Sequence, residues 1–265
     1  MTIPRILVIA GSDSGGGAGI QADIKTITML GGHAMTAITA ITAQNTLGVT
    51  AVHPVPVDMV IAQIDAVAGD IGVDAVKIGM IGSAETAQAV ADRLDRLDRV
   101  PIVFDPVMVA TSGAALADEG VVPAFLRLMA IAALTTPNVP ELEVLAGRFI
   151  HHEDEMATAG RMLAERHGCS VLAKGGHLPG ETCVDLLLDP YGGLERWSDP
   201  RIETRHSHGT GCTLASALAT GLAAGLPAVE AITRARAFVR AALLAAPGLG
   251  GGHGPMGHGL VRKNQ

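Results

Sequence analysis

The chain has 265 residues, 48% of them hydrophobic and 17% charged, a balance that excludes intrinsic disorder and supplies a large core without disulfides or metals. Its formal net charge is −7 and its aromatic residues are four Phe, one Trp and one Tyr, so the basic patch and stacking rings of a nucleic-acid-binding protein are missing. Cys169, Cys183 and Cys212 form neither a CxxC pair nor a zinc pattern, which points to a reducing, cytoplasmic setting.

Short apolar runs alternate with amphipathic stretches from end to end. Arg5–Ala10, too brief for the core of a signal peptide, reads as a buried strand, as do His33–Thr42, Val73–Ile78, Pro101–Asp105, Ser170–Ala173 and Cys183–Leu188. Apolar residues at three- and four-residue spacing predict helices over Ala18–Leu30, Asp58–Asp70, Ala84–Leu97, Asp118–Leu134, Glu155–His167, Thr213–Gly225 and Ala228–Ala245. Gly192–Arg196 reads as a hairpin turn leading to a strand near Arg196–Ser198. Strand alternating with helix predicts a mostly parallel sheet covered by helices on both faces. No repeat, charge block or linker divides the chain, so one domain over residues 1–265 is expected. The apolar segment Leu214–Leu226 is broken by Gly221 and Gly225 and stopped by Pro227, short of the roughly 20 residues of a membrane span. Taken alone, the glycine-rich tail Pro247–His258 reads as a frayed terminus.

Five stretches carry polar groups where a parallel sheet places its ligands, beyond the carboxyl ends of strands. Gly11–Asp23 is a glycine-rich turn into the first helix, where backbone N–H groups can approach an anion. Within it Gly17–Ala22 fits GxGxxA, but no acidic residue follows about 20 positions on to hold a ribose; Lys25-Thr26 lacks the preceding glycine of a Walker A loop. Gln44 and Asn45 end the second apolar run, as a turn or as ligand contacts. Thr136–Glu141 puts Asn138 and Glu141 at one helix start, as a capping box or as oxygens around a hydrated Mg²⁺ to which Asp105 would contribute. Lys174 ends a buried strand before Gly175-Gly176, a placement suited to a phosphate. His208–Thr213 opens the apolar helix with a nest of backbone amides, an anion hole in which the helix dipole is expected to lower the pKa of Cys212. His206 and His208 are read as shaping that loop; the ten histidines show no HxxxH or HExxH spacing.

Taken together, Ala10–Thr26, Thr42–Thr46, Val76–Met80, Asp105–Met108, Thr136–Asn138, Lys174–His177 and His208–Thr213 closely resemble the hydroxymethylpyrimidine/phosphomethylpyrimidine kinases, a ribokinase-like family of thiamine biosynthesis. The match keeps the family's order over most of the chain, and Gly252–His258 is similar to a family ending, which sets the frayed-tail reading aside in part. The resemblance implies an α/β three-layer sandwich and ATP- and Mg²⁺-dependent phosphorylation of 4-amino-5-hydroxymethyl-2-methylpyrimidine and then of its monophosphate. It implies that Asp23 and Gln44 hydrogen-bond the aminopyrimidine and that Gly11, Met80 and Val107 line its pocket. Lys174, Asn138 and Thr210 would contact ATP phosphates, Asp105 and Glu141 would organise the Mg²⁺ shell, and the backbone of Gly209, Thr210, Gly211 and Cys212 would form the anion hole. Cys212 stands where the wider superfamily has its aspartate base. A homodimer is implied as well, with small molecules as partners and neither nucleic acid nor membrane. The competing readings are a pyridoxal kinase, a dinucleotide-binding oxidoreductase built on Gly17–Ala22, and a non-catalytic pyrimidine-binding module.

Overall fold

The computed structural model describes residues 2–97, 100–109 and 120–261. Its elements run β1 (Arg5–Asp13), α1 (Gly19–Met29), β2 (His33–Asn45), β3 (Gly48–Pro54), α2 (Val57–Asp70), β4 (Ala75–Ile78), α3 (Ala84–Leu94) and β5 (Ile102–Phe104). They continue with α4 (Val122–Ile131), β6 (Leu134–Thr135), α5 (Val139–Ala146), α6 (Glu153–His167), β7 (Ser170–Lys174), β8 (Thr182–Leu188), β9 (Leu194–Pro200), α7 (Thr210–Ala223) and α8 (Ala228–Leu244). The strands form one nine-stranded sheet in the order β3-β2-β1-β4-β5-β6-β7-β8-β9. From β2 to β7 neighbours are parallel, while β3, β8 and β9 add antiparallel edges.

Period-two alternation distributes β1 between two cores. Leu7 and Ile9 face α2 to α6 with Val76, Ile78 and Phe104, whereas Ile6, Val8 and Ala10 face α1, α7 and α8 with Ile20, Leu214 and Ile232. The result is the expected helix–sheet–helix sandwich. Strands buried on both faces explain the continuous apolar runs that revealed them. No helix among the described residues is long and apolar enough to cross a membrane.

Several boundaries differ from expectation. β1 runs on through Gly11 to Asp13, because Ser12 and Asp13 pair with Ile41 and Thr42 after a register shift, so the glycine-rich loop starts only at residue 14. β3 was missed because its exposed, irregular Gly48–Pro54 carries no alternating pattern; pairing with the long β2 makes it a strand. The helix predicted over Asp118–Leu134 stops at Ile131, and Leu134-Thr135 fill the slot between β5 and β7; residues 118 and 119 lie outside the described residues. The hairpin from Cys183–Leu188 is present, but its turn spans 189–193 and not Gly192–Arg196, because the Asp189 carboxylate accepts from the backbone N–H groups of Tyr191 and Gly193 and Leu194 already pairs in β9.

Phe104 and Phe125 meet edge to face at 5.2 Å, both inaccessible to solvent, in the larger core. Phe125→Ala is expected to destabilise the protein by about 3–5 kcal/mol in urea unfolding, with catalysis retained in the folded fraction. A loss below about 1 kcal/mol would mean that the core collapses around the deletion.

Candidate active site

Chain direction reverses its lateral progress at β1, which has β2 on one side and β4 on the other, so a crevice opens beyond the carboxyl ends there. Asp13, Met80, Asp105 and Lys174 all lie at or just past those ends. Lys174 Nζ donates to Asp105 Oδ1 at 2.8 Å, and Thr136 Oγ1 donates to the same oxygen at 3.0 Å. Gly211, in the first turn of α7, closes the group: a methyl placed on it would stand 3.3 Å from both Lys174 Nζ and Asp105 Oδ2. A side chain there would press on both charged groups.

Asn138 and Glu141 form a capping box at the start of α5, Asn138 N–H donating to Glu141 Oε2 and Glu141 N–H to Asn138 Oδ1. The backbone of Asn138 also bridges to Lys174, so the same box borders the ion pair. Burial, with Asp105 adding repulsion against the attraction of Lys174, pushes the Glu141 carboxyl up to about 7. For Lys174 burial acts downwards, but Asp105 and Glu141 outweigh it and hold the ammonium charged. Two hard-oxygen carboxylates served by one cation suit Mg²⁺, which takes one or two protein carboxylates and keeps its remaining positions for water and phosphate. Among the described residues no cluster of three or more His, Cys, Asp or Glu could cage a metal by itself.

Asp13 organises the glycine-rich turn. Its Oδ1 accepts from Gly15 N–H, and its Oδ2 accepts from Gly17 and Ala18 N–H and lies 3.1 Å from His208 Nε2. Burial works against the charged carboxylate, yet His208 and these amides hold it below the usual range. Gly209 takes φ 86°, open to glycine at little cost, and any side chain there would collide with the Gly17 carbonyl. The two glycine loops therefore touch. Gln44 Nε2 lies 3.2 Å from His208 Nε2, so Gln44 borders the same junction. Gly11 abuts Met80, whose sulfur would lie 2.9 Å from a methyl on Gly11, and half-buried Val107, two residues past Asp105, donates its N–H to the Asp105 carbonyl at 2.8 Å.

Three of the candidate residues have surroundings that the sequence did not indicate. Asp23 is fully buried, with Oδ2 accepting from Lys77 Nζ at 2.9 Å and Oδ1 from Ser216 Oγ at 2.7 Å, so each oxygen already has a partner within the protein. Thr210 donates its hydroxyl to Ser207 O at 2.6 Å and turns its amide to the same carbonyl, leaving the hole to the backbone of Gly211 and Cys212. Cys212 does not have the lowered pKa expected at a helix start. Burial, reinforced by Asp23 and Asp105 and opposed by Lys77 and the Gly19 N–H, pushes its thiol up to about 11. Sequence reading gave no role to Lys77, although a lysine inside the four-residue apolar strand β4 was the available signal.

The tail is built into the site. His253 N–H donates to Thr46 O, His208 N–H donates to Gly254 O, and Thr210 Oγ1 lies 3.8 Å from Met256 Sδ. Buried His258 brings Nε2 to 2.7 Å from Thr213 Oγ1.

The model of the phosphomethylpyrimidine kinase family matches residues 13–257. A hydroxymethylpyrimidine/phosphomethylpyrimidine kinase of Rhizobium meliloti is 50% identical over 256 residues, covering 95% of this chain and 96% of the relative. The chain belongs to the phosphomethylpyrimidine kinase family. A thiamine biosynthesis bifunctional protein ThiED of Geobacter sulfurreducens is also 50% identical over 98% of this chain, which spans 53% of that longer protein. Among solved structures, a Staphylococcus aureus pyridoxal kinase in complex with AMP-PCP and pyridoxal superposes with a TM-score of 0.89 at 31% identity, covering 98% of this chain and 94% of the other. The kinase-family chain thus shares its fold with a kinase for a different ring.

Burial, with Lys25 adding repulsion, holds His258 down at about 4, below the ordinary 6.5. A depressed histidine contributes stability that is complete above about 6.5 and lost as pH falls towards 4, because the unfolded chain takes up the proton first. The urea midpoint is expected to drop between pH 7 and 4.5, and His258→Gln to flatten that drop. Equal slopes in the two proteins would remove His258 as the cause.

Proposed function

We propose that the protein transfers the γ-phosphoryl group of ATP to the hydroxymethyl group of 4-amino-5-hydroxymethyl-2-methylpyrimidine, and then a second phosphoryl group to the monophosphate, towards thiamine diphosphate. It does so as one kinase domain, in a homodimer, in the cytoplasm. The observation that carries the reading is the Lys174–Asp105 ion pair set against Gly211 in the first turn of α7. It places a fixed cation, a metal-seeking carboxylate and unpaired helix-start amides at one point.

Lys174 and the Asn138 amide hold the donor's phosphates, and the Gly211 and Cys212 amides receive the charge of the phosphoryl group in flight. Asp105 and Glu141 would hold Mg²⁺, which when bound neutralises charge on the phosphate oxygens. Gln44, Gly11, Met80 and Val107 orient the acceptor ring. A thiol pushed up to about 11 keeps its proton at neutral pH, so Cys212 acts chiefly as part of the anion hole and not as the base. Phosphoryl transfer through a loose transition state depends on positioning and charge more than on proton removal.

The first test is ADP release from Mg-ATP with hydroxymethylpyrimidine, its monophosphate, pyridoxal and ribose in parallel. Turnover on both pyrimidines is expected. Preference for pyridoxal would hand the pocket to the vitamin B6 ring, and turnover on none would overturn the kinase reading. Cys212→Ala keeps the backbone amide and removes only the thiol, so kcat is expected to stay within about threefold of wild type and pyrimidine affinity within about twofold. A loss of about 100-fold or more would make the thiol the base and overturn the anion-hole role. Lys174→Met should raise the KM for ATP by at least about tenfold, and an unaltered ATP dependence would refute its role.

A further inference from the structure

Lys77 is fully buried, and so is its partner Asp23, their charged groups 2.9 Å apart. Alternation along β4 turns Lys77, with Ala75, to the face covered by α1 and α7. Asp23 comes from α1 and is braced by Ser216 Oγ, one turn beyond Cys212 in α7. Gly79 makes the space: a methyl on it would stand 2.6 Å from Lys77 Nζ. Three elements thus converge to hold one ammonium beneath the opening of α7.

Stability does not account for this arrangement, since a buried ion pair exchanged for apolar residues of similar volume is usually neutral or stabilising. The transferred phosphoryl group, by contrast, collects negative charge at the opening of α7. We propose that Lys77 is a positioning residue for phosphoryl transfer, its ammonium fixed by Asp23 and Ser216 to supply positive potential under the Gly211–Cys212 turn. The inference rests on the kinase reading above. The Cys212 thiol reports that potential, because Lys77 favours its anion while Asp23 and Asp105 oppose it, and Lys174 couples to it from β7. The Lys77 ammonium lies at the level of Gly79, just past the carboxyl end of β4 and so on the crevice side of the sheet, while Asp23 is tied to Ser216, one turn deeper in α7 than Cys212.

The test is the near-isosteric double variant K77M/D23N, read by steady-state kinetics and by the pH profile of Cys212 alkylation, followed by mass spectrometry without substrates. The expected result is a kcat about tenfold lower, an acceptor KM within about twofold, and an alkylation profile displaced to higher pH. A folded double variant with wild-type kcat and an unmoved profile overturns the proposal. So does a raised acceptor KM at unchanged kcat, which would return Asp23 to ring binding. Should the double variant not fold, K77Q/D23N, which keeps hydrogen-bonding groups at both positions, is read in the same way. Its profile is expected at higher pH, and no shift or a downward one overturns the proposal. Because alkylation needs no substrate, a displaced profile in a protein without kinase turnover would sink the proposed function and leave the electrostatic role of Lys77 standing.

Discussion

The ion pair between Lys174 and Asp105 is the contact on which the rest of the site depends. It joins the ends of two strands that are not neighbours, β5 and β7, across the two-residue β6. A buried ammonium needs an opposite charge, and Asp105 supplies it while keeping a second oxygen on the side of Gly211. The capping box of α5 borders this pair and adds Glu141, so three ionisable groups share a space that water reaches poorly. Their charges are poised against one another, a condition that fits a centre waiting for a polyanion and its cation.

Around that pair, scaffold and site are the same elements. The Asp13 carboxylate folds the glycine turn and reaches His208, the residue just before the anion loop. Gly17 and Gly209 touch through atoms that no side chain could replace, and the tail runs between Thr46 and His208. Segments nearly 200 residues apart, such as Asp13 and His208 with a separation of 195, are therefore locked into one rigid junction. Rigid positioning of amides and cations is what a loose, charge-dominated transfer requires.

Much of this was legible in the chain. The apolar runs identified the buried strands because both faces of a parallel sheet are covered, and their ends marked Lys174, Asp105 and Gln44 as neighbours of the crevice. The spacing of Asn138 and Glu141 gave the capping box that is present. Less legible were elements whose existence depends on a partner: β3 on the free side of β2, and β6 in the gap between β5 and β7. Three residues have surroundings that the sequence did not indicate, for one reason. Asp23, Thr210 and Cys212 have the residue types of a site, but their chemistry depends on what surrounds them.

The amino-acid sequence by itself determined the layered α/β architecture, the order of the motifs and the family, because hydrophobic period and local glycine, proline and cap chemistry are written residue by residue. Only the tertiary structure decided that Asp23 belongs to Lys77, that Thr210 turns to Ser207, that the Cys212 thiol is pushed up and that the tail's Gly254 and Met256–His258 are buried. Desolvation and charge pairing are properties of neighbours distant in sequence, and no local pattern records them.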